Sequence, residues 1–137
     1  MIIDSRLQVS DQQALTATAA STNVIDLGSQ RLIGPGDPLW WVIVARIGLG
    51  GTSPTLVPSV ETDDNSGFSS AATLVTYPQL AAAGFVTGTR IVIPMTFTNE
   101  QYLRLKYTLG GTTPTATVDA FLTNQDPASW SAFADAI

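Results

Sequence analysis

The stretch LWWVIVARI, residues 39–47, is the one place where apolar residues fill both alternating positions of a strand pattern for several residues in a row. Successive side chains of a β-strand point to opposite faces, so Trp41 and Ile43 line one face, and Trp40, Val42 and Val44 line the other. A proline before the run and the segment GLGG after it limit it to the length of a strand. The pattern therefore predicts a strand that is buried on both faces.

Two arrangements would bury both apolar faces of this strand. The simpler one is a central strand of a β-sandwich. In the other, the Trp41 face fills the core of the sandwich and the Trp40 face fills a subunit interface, because tryptophan is enriched in interface cores. Both arrangements stay open at this stage.

The rest of the chain predicts an all-β, antiparallel β-sandwich, jelly-roll-like in its organisation. Seven or eight short strands are separated by turn-forming segments at a spacing of about 8–12 residues. Residues 102–109 alternate between polar and apolar side chains, as is typical of a half-buried strand. The segment GGTTP (110–114) predicts a hairpin loop leading to a strand at 115–123, GLGG (48–51) predicts a hairpin turn, and Pro58 predicts an edge strand or a bulge.

The two ends of the chain differ in character from its middle, which predicts three parts: an N-terminal arm (1–22), a sandwich domain (23–124) and a C-terminal tail (125–137). The arm is rich in alanine and threonine, and we expect it to be extended instead of helical. Asp126 and Pro127 are typical of a helix start, and Trp130, Phe133 and Ile137 would then share one helical face. Such a tail would dock either on its own domain or on a partner.

The composition excludes several classes of function. The chain has no cysteine and no histidine, which removes disulfides, thiolate metal sites, the Ser-His-Asp triad and the usual zinc ligands. We therefore expect no enzymatic activity and no cofactor. The net charge is −5 and the six basic residues are scattered, so no basic stripe for a nucleic acid is predicted. No apolar run approaches a membrane span and no signal peptide begins the sequence, which predicts a protein made in the cytoplasm, without export or a membrane partner.

Three local motifs have simpler interpretations than chemical sites. DDNSG (63–67) lacks the alternating oxygen ligands of a calcium loop and predicts a solvated turn. Glu61 with Asp63 or Asp64 could imitate a glycosidase pair, but acidic pairs are usually surface charges. GLGG lacks the lysine of a phosphate-binding loop. A fourth motif, the tryptophans Trp40, Trp41 and Trp130, could form a stacking platform for sugars, although burial of Trp40 and Trp41 would prevent it.

Several segments together resemble the capsid cement, or head decoration, proteins of short-tailed bacteriophages. They are STNVIDLG (21–28), PLW (38–40), TDD (62–64) with FSS (68–70), and YLRL (102–105) with YT (107–108). The resemblance runs from about residue 7 to residue 122 and contains no catalytic residue. It implies a jelly-roll-like, usually oligomeric subunit that binds the outer surface of a phage head where subunits of the major capsid protein meet.

The predicted function is therefore that of a structural virion protein that stabilises a capsid shell. Its expected partners are the major capsid protein and a second copy of itself, most simply in a homodimer. The predicted interface residues are the apolar side chains of the arm, of the second face of the central strand and of the tail: Leu7, Leu15, Trp40, Val42, Val44, Trp130, Phe133 and Ile137. A carbohydrate-binding module of a virion and a β-sandwich of the tail or baseplate are the alternatives.

Overall fold

The computed structural model describes residues 3–32, 36 and 38–127. In these described residues, eight strands form one antiparallel sheet. They are β1 (Gln8–Leu15), β2 (Ala19–Ala20), β3 (Ile25–Asp26), β4 (Trp40–Asp63), β5 (Ala72–Thr76), β6 (Leu80–Ala81), β7 (Arg90–Pro94) and β8 (Tyr102–Thr123). A short 3-10 turn, Ala82–Gly84, follows β6. The prediction of an all-β, antiparallel fold is confirmed.

Two long strands, β4 and β8, form the axis of the fold. They pair with each other from Trp40 opposite Thr123 to Asp63 opposite Tyr102, with register shifts concentrated between Ala45 and Thr55. These irregularities divide the ribbon into two halves, because a bulge adds twist and lets a strand change direction. We call this region the bend.

Each half of the ribbon carries its own outer strands. The first half-sheet has the order β7, start of β4, end of β8, β1. The second half-sheet consists of β5 and β6, the end of β4, the start of β8, and then β2 and β3. One sheet therefore supplies both layers of the sandwich.

A single hydrophobic core joins the inner faces of the two half-sheets. Trp41 and Ile43 of the first half-sheet belong to the same buried cluster as Leu103 and Leu105 of the second. A buried hydrogen bond of 2.8 Å between the Ser10 and Tyr107 hydroxyl groups also links the two layers. The predicted alternation of residues 102–109 is confirmed, because Leu103, Leu105 and Tyr107 are fully buried.

The predicted hairpin at GGTTP is wrong. Residues 102–123 form one uninterrupted strand, and its two halves pair with the two halves of β4 and not with each other. GLGG likewise lies inside β4. The glycines allow the backbones of β4 and β8 to approach closely at the bend. A Cβ on Gly111 would lie 2.5 Å from the Ser53 carbonyl oxygen, and a Cβ on Gly51 would lie 2.7 Å from the Thr113 carbonyl oxygen.

The edge position predicted from Pro58 is also wrong. Pro58 lies between β8 and the β5–β6 side of the second half-sheet, opposite Tyr107. Its carbonyl accepts a hydrogen bond of 2.8 Å from the Tyr77 N–H, in the gap between β5 and β6. Because the N and C=O of one strand residue point to the same side, the N–H that proline lacks would face Tyr77 and not β8. The proline therefore removes the second hydrogen bond of this pair and leaves the pairing of β4 with β8 intact.

The two terminal segments have different outcomes. Residues 8–15, placed in an extended arm by the sequence, form β1 at the edge of the first half-sheet. The predicted tail helix begins at Pro127, and residues 128–137 lie outside the described part of the chain. Among the described residues, no helix is long and apolar enough to span a membrane.

Candidate functional site

The bend presents an exposed surface without charge. We define the bend surface as the exposed residues of three segments, 47–53, 86–88 and 111–115. Ile47 is 61% exposed and Val86 is 54% exposed, although both are large apolar side chains. The other exposed members are glycine, serine and threonine: Gly51, Thr52, Ser53, Thr87, Gly88, Gly111, Thr112, Thr113 and Thr115. The bend surface thus combines two apolar side chains with hydroxyl and backbone groups.

Backbone contacts hold the bend surface in place. The Leu49 N–H donates to the Phe85 carbonyl at 2.8 Å, and the Gly48 N–H donates to the Thr87 hydroxyl at 3.0 Å. Phe85 is fully buried in the core. These contacts bring the segment that carries Val86 against the segment that carries Ile47. The two exposed apolar side chains are therefore fixed features of the same end of the sandwich.

The charge nearest to the bend surface is already paired. Arg46 forms an ion pair with Asp119. Asp119 also accepts a hydrogen bond of 2.7 Å from the Gln12 N–H of β1. A partner that approaches the bend surface would therefore not have to desolvate an unpaired carboxylate or guanidinium there.

Carboxylates collect at the opposite end of the sandwich, where the ribbon begins and ends. Asp26 accepts hydrogen bonds from the Gln101 side-chain amide at 2.8 Å and from the Gly28 N–H at 2.7 Å, and these two donors lower the pKa of its carboxyl. Asp63 closes β4 at the same end, beside Tyr102. The molecule therefore has a charged end and an uncharged end.

The segment DDNSG is a turn, organised by Asp63. Its carboxylate accepts hydrogen bonds from the Asn65 N–H at 3.0 Å, the Ser70 N–H at 2.8 Å and the Ser70 hydroxyl at 3.0 Å. Burial raises the pKa of Asp63, but these donors outweigh it and the net pKa lies below its usual value. The Asp63 oxygens are thus engaged within their own loop, and the described residues contain no group of three potential metal ligands.

Glu61 belongs to an ion-pair cluster under the same loop. It contacts Arg104 at 2.7 Å and Lys106 at 3.4 Å on the neighbouring strand. The Phe68 ring lies 4.0 Å from the Arg104 guanidinium, in a cation–π contact. Because Glu61 is opposite Arg104 in the ladder, this cluster fixes the register of β4 and β8. Both carboxylate oxygens of Glu61 are thus engaged by cations of the neighbouring strand, as in a structural cluster.

The predicted interface residues fall into separate places. Leu15 belongs to the hydrophobic core, and Leu7 packs against it. Trp40, Val42 and Val44 lie together on the outer face of the first half-sheet, opposite Thr123, Phe121 and Asp119 of β8. Trp130, Phe133 and Ile137 lie outside the described residues. Trp41 cannot belong to a stacking platform for sugars, because its side chain is fully buried.

The bend surface was not predicted from the sequence. The feature of the sequence that could have indicated this surface is the absence of charge. No charged residue occurs in segments 47–60, 85–89 and 107–118. The glycine-rich parts of these segments, GLGG (48–51) and GGTTP (110–114), have the composition of turns. Only the pairing of β4 with β8 brings them to one end of the molecule.

Comparison with known proteins places the chain in a family. No curated protein matches the sequence. A family model does, and its match extends from β1 to the end of β8, so that it covers nearly all of the described fold. The chain belongs to the Bbp16 family, whose model, described as Bbp16, matches residues 9–122.

Proposed function

We propose that this chain is a capsid cement protein, which binds the outside of a phage head and bridges subunits of the major capsid protein. The observation that carries the proposal is the uncharged bend surface, on a fold whose sequence resembles head decoration proteins. Such a surface fits a partner bound through apolar contacts and hydrogen bonds.

The segments that carry the resemblance occupy positions that determine the fold. The Ser21 hydroxyl accepts from the Leu105 N–H at 3.2 Å and donates to the Asn23 carbonyl at 2.9 Å. Asp63 organises its loop, and Phe68 contacts Arg104. The residues that carry the resemblance are therefore residues that stabilise the fold. It supports a shared architecture, and the contact with a capsid has to be argued from the surface.

The bend surface suits a seam between capsid subunits. It combines Ile47 and Val86 as apolar anchors with threonine hydroxyl groups that both donate and accept hydrogen bonds. Since residues 8–15 of the predicted arm are paired in the sheet as β1, we place the main capsid contact at the bend surface. A subunit bound across such a seam stabilises the closed shell by mass action, to an extent set by its occupancy.

The first test is the thermal release of DNA from heads with and without this protein. We expect decorated heads to release DNA at a higher temperature than stripped or deletion-mutant heads. The difference should persist between about 0.1 M and about 1 M salt, because screening weakens exposed ion pairs and leaves apolar contacts intact. Bare heads measured at each salt concentration are the control.

Equal release temperatures for bare and decorated heads would contradict the cement function. Glycan binding by the free protein would then favour a carbohydrate-binding module. Location on the tail or baseplate in imaged particles would favour a β-sandwich of that organelle.

The second test is a charge placed on the bend surface. We expect Ile47→Asp to weaken binding to bare heads by about tenfold or more, because the contact would bury an unpaired carboxylate. Phe97→Asp is the matched control: Phe97 is 56% exposed and lies in the connection before β8, at the charged end. If the control weakens binding as much as Ile47→Asp, the bend surface is not the contact.

The proposal includes self-association, which the resemblance implies, and a dimer is its simplest form. It also includes synthesis in the host cytoplasm and assembly onto the outer capsid surface. Neither part depends on Trp40, Val42 and Val44 being available to a second copy.

A further inference from the structure

In the first half-sheet, as far as the structure describes it, two apolar side chains are buried outside the hydrophobic core. Val42 is 0% exposed and Phe121 is 2% exposed. Neither belongs to the core cluster that contains Trp41, Ile43 and Leu122. They are paired with each other across β4 and β8, and they share the outer face of the first half-sheet with Trp40 and Val44. A sheet face with fully buried members has to be covered.

The chain that leaves β8 turns back onto this outer face. Thr123, the last residue of β8, lies opposite Trp40, and its hydroxyl accepts a hydrogen bond of 3.1 Å from the Gln125 N–H. Arg90 lies opposite Val44, so its side chain points to the same outer face. The Arg90 guanidinium donates to the Pro127 carbonyl at 3.3 Å.

These contacts give the direction of the chain. Trp40 and Val44 are four residues apart, or about 13 Å along a strand. Between Thr123 and Pro127 the chain therefore crosses from one end of the outer face towards the other. Pro127 is itself buried. The described part of the chain therefore ends on the face that needs a cover.

We propose that residues 128–137 dock on the outer face of the first half-sheet of their own chain. The sequence of the segment, ASWSAFADAI, has one charged residue and supplies Trp130, Phe133 and Ile137 as apolar side chains. Even as a helix it would be about 15 Å long, which matches the length of the face. Docking within one chain is favoured over docking on a neighbour, because Pro127 tethers the segment at high effective concentration.

This inference does not depend on the capsid proposal. It assigns two groups of predicted interface residues to each other: Trp40, Val42 and Val44 on the sheet, and Trp130, Phe133 and Ile137 on the tail. Both groups are then unavailable to a partner.

The test uses a spin label at Ser131 in the full-length chain. Because the sequence has no cysteine, Ser131→Cys gives a single site for a nitroxide. In isotope-labelled protein we expect paramagnetic broadening of the Val42, Val44 and Phe121 signals. A nitroxide at Ser66→Cys, in the exposed loop after β4, is the control and should leave these signals sharp. Adding Trp130→Ala to the Ser131 variant should restore sharp signals.

A mixed sample separates the two ways of docking. It contains an unlabelled chain with the nitroxide and an isotope-labelled chain without it. We expect no broadening of Val42 in this mixture. Broadening there would overturn the inference in favour of a tail exchanged between copies. Sharp signals in the single-chain experiment would overturn it in favour of a tail that does not cover this face. Capsid binding does not enter either readout, so failure here is distinct from failure of the cement proposal.

Discussion

Replacing Trp41 with alanine is expected to lower the free energy of unfolding by about 3–5 kcal/mol. Trp41 is the largest fully buried side chain of the described residues, and it lies between Ile93 and Leu122 in the first half-sheet. Its indole N–H donates to the Met95 sulfur at 3.1 Å. The substitution removes apolar contacts on both sides and leaves a cavity between the layers. The loss is a large part of the roughly 5–15 kcal/mol that stabilises a domain.

Urea unfolding of the parent and the variant measures this loss, and Phe97→Ala is the control. It also removes an aromatic ring, but from an exposed position, so its effect should stay within about 0.5 kcal/mol. A Trp41→Ala variant as stable as the control would mean that the core is not where Trp41 lies.

The central strand shows what a local pattern can predict. The alternation of residues 39–47 correctly separates Trp41 and Ile43 from Trp40 and Val42, because side-chain direction depends only on the strand itself. The same pattern fails at Ile47, which shares a predicted face with Trp41 but is exposed. A register shift between Ala45 and Ile47 interrupts the alternation there. The alternation therefore predicts which face a side chain lies on only as far as the first bulge.

The bend could not be predicted in the same way. A glycine-rich segment such as GGTTP has the composition of a hairpin loop and also of a strongly bulged strand. What distinguishes the two is whether the flanking strands pair with each other or with a distant ribbon. Here β8 pairs with residues 40–63 along its whole length, and no local signal contains that information. The candidate site was missed for the same reason.

The apolar outer face illustrates a different limit. Apolar residues at Trp40, Val42 and Val44 correctly indicate a face that needs a cover, but many covers satisfy the same requirement. The sequence predicts that either a second subunit or the capsid covers this face. The contact between Arg90 and Pro127 gives a reason to prefer the tail of the same chain, and it joins residues 37 positions apart.

Replacing Gly111 with alanine is expected to cost about 2–6 kcal/mol of stability, as the sum of two separate effects. Gly111 has a φ of +95°, a region in which a residue with a Cβ is strained by about 1–3 kcal/mol. The new Cβ would also lie 2.5 Å from the Ser53 carbonyl oxygen and 2.9 Å from the Pro54 Cα. Both atoms belong to the backbone of β4, so no flexible side chain can move aside, and overpacking adds about 1–3 kcal/mol.

Gly28→Ala separates the two effects. Gly28 has a φ of +75°, and nothing lies within 4 Å of the position that its Cβ would take. This variant should therefore lose only the backbone contribution, about 1–3 kcal/mol. Chemical unfolding of both variants gives the difference, which we expect to be about 2 kcal/mol because only Gly111 meets another strand. If the two variants lose the same stability, the crossing of β4 and β8 at the bend can widen at little cost. The bend surface would then be a deformable region, and the fixed geometry that we assign to Ile47 and Val86 would have to be abandoned.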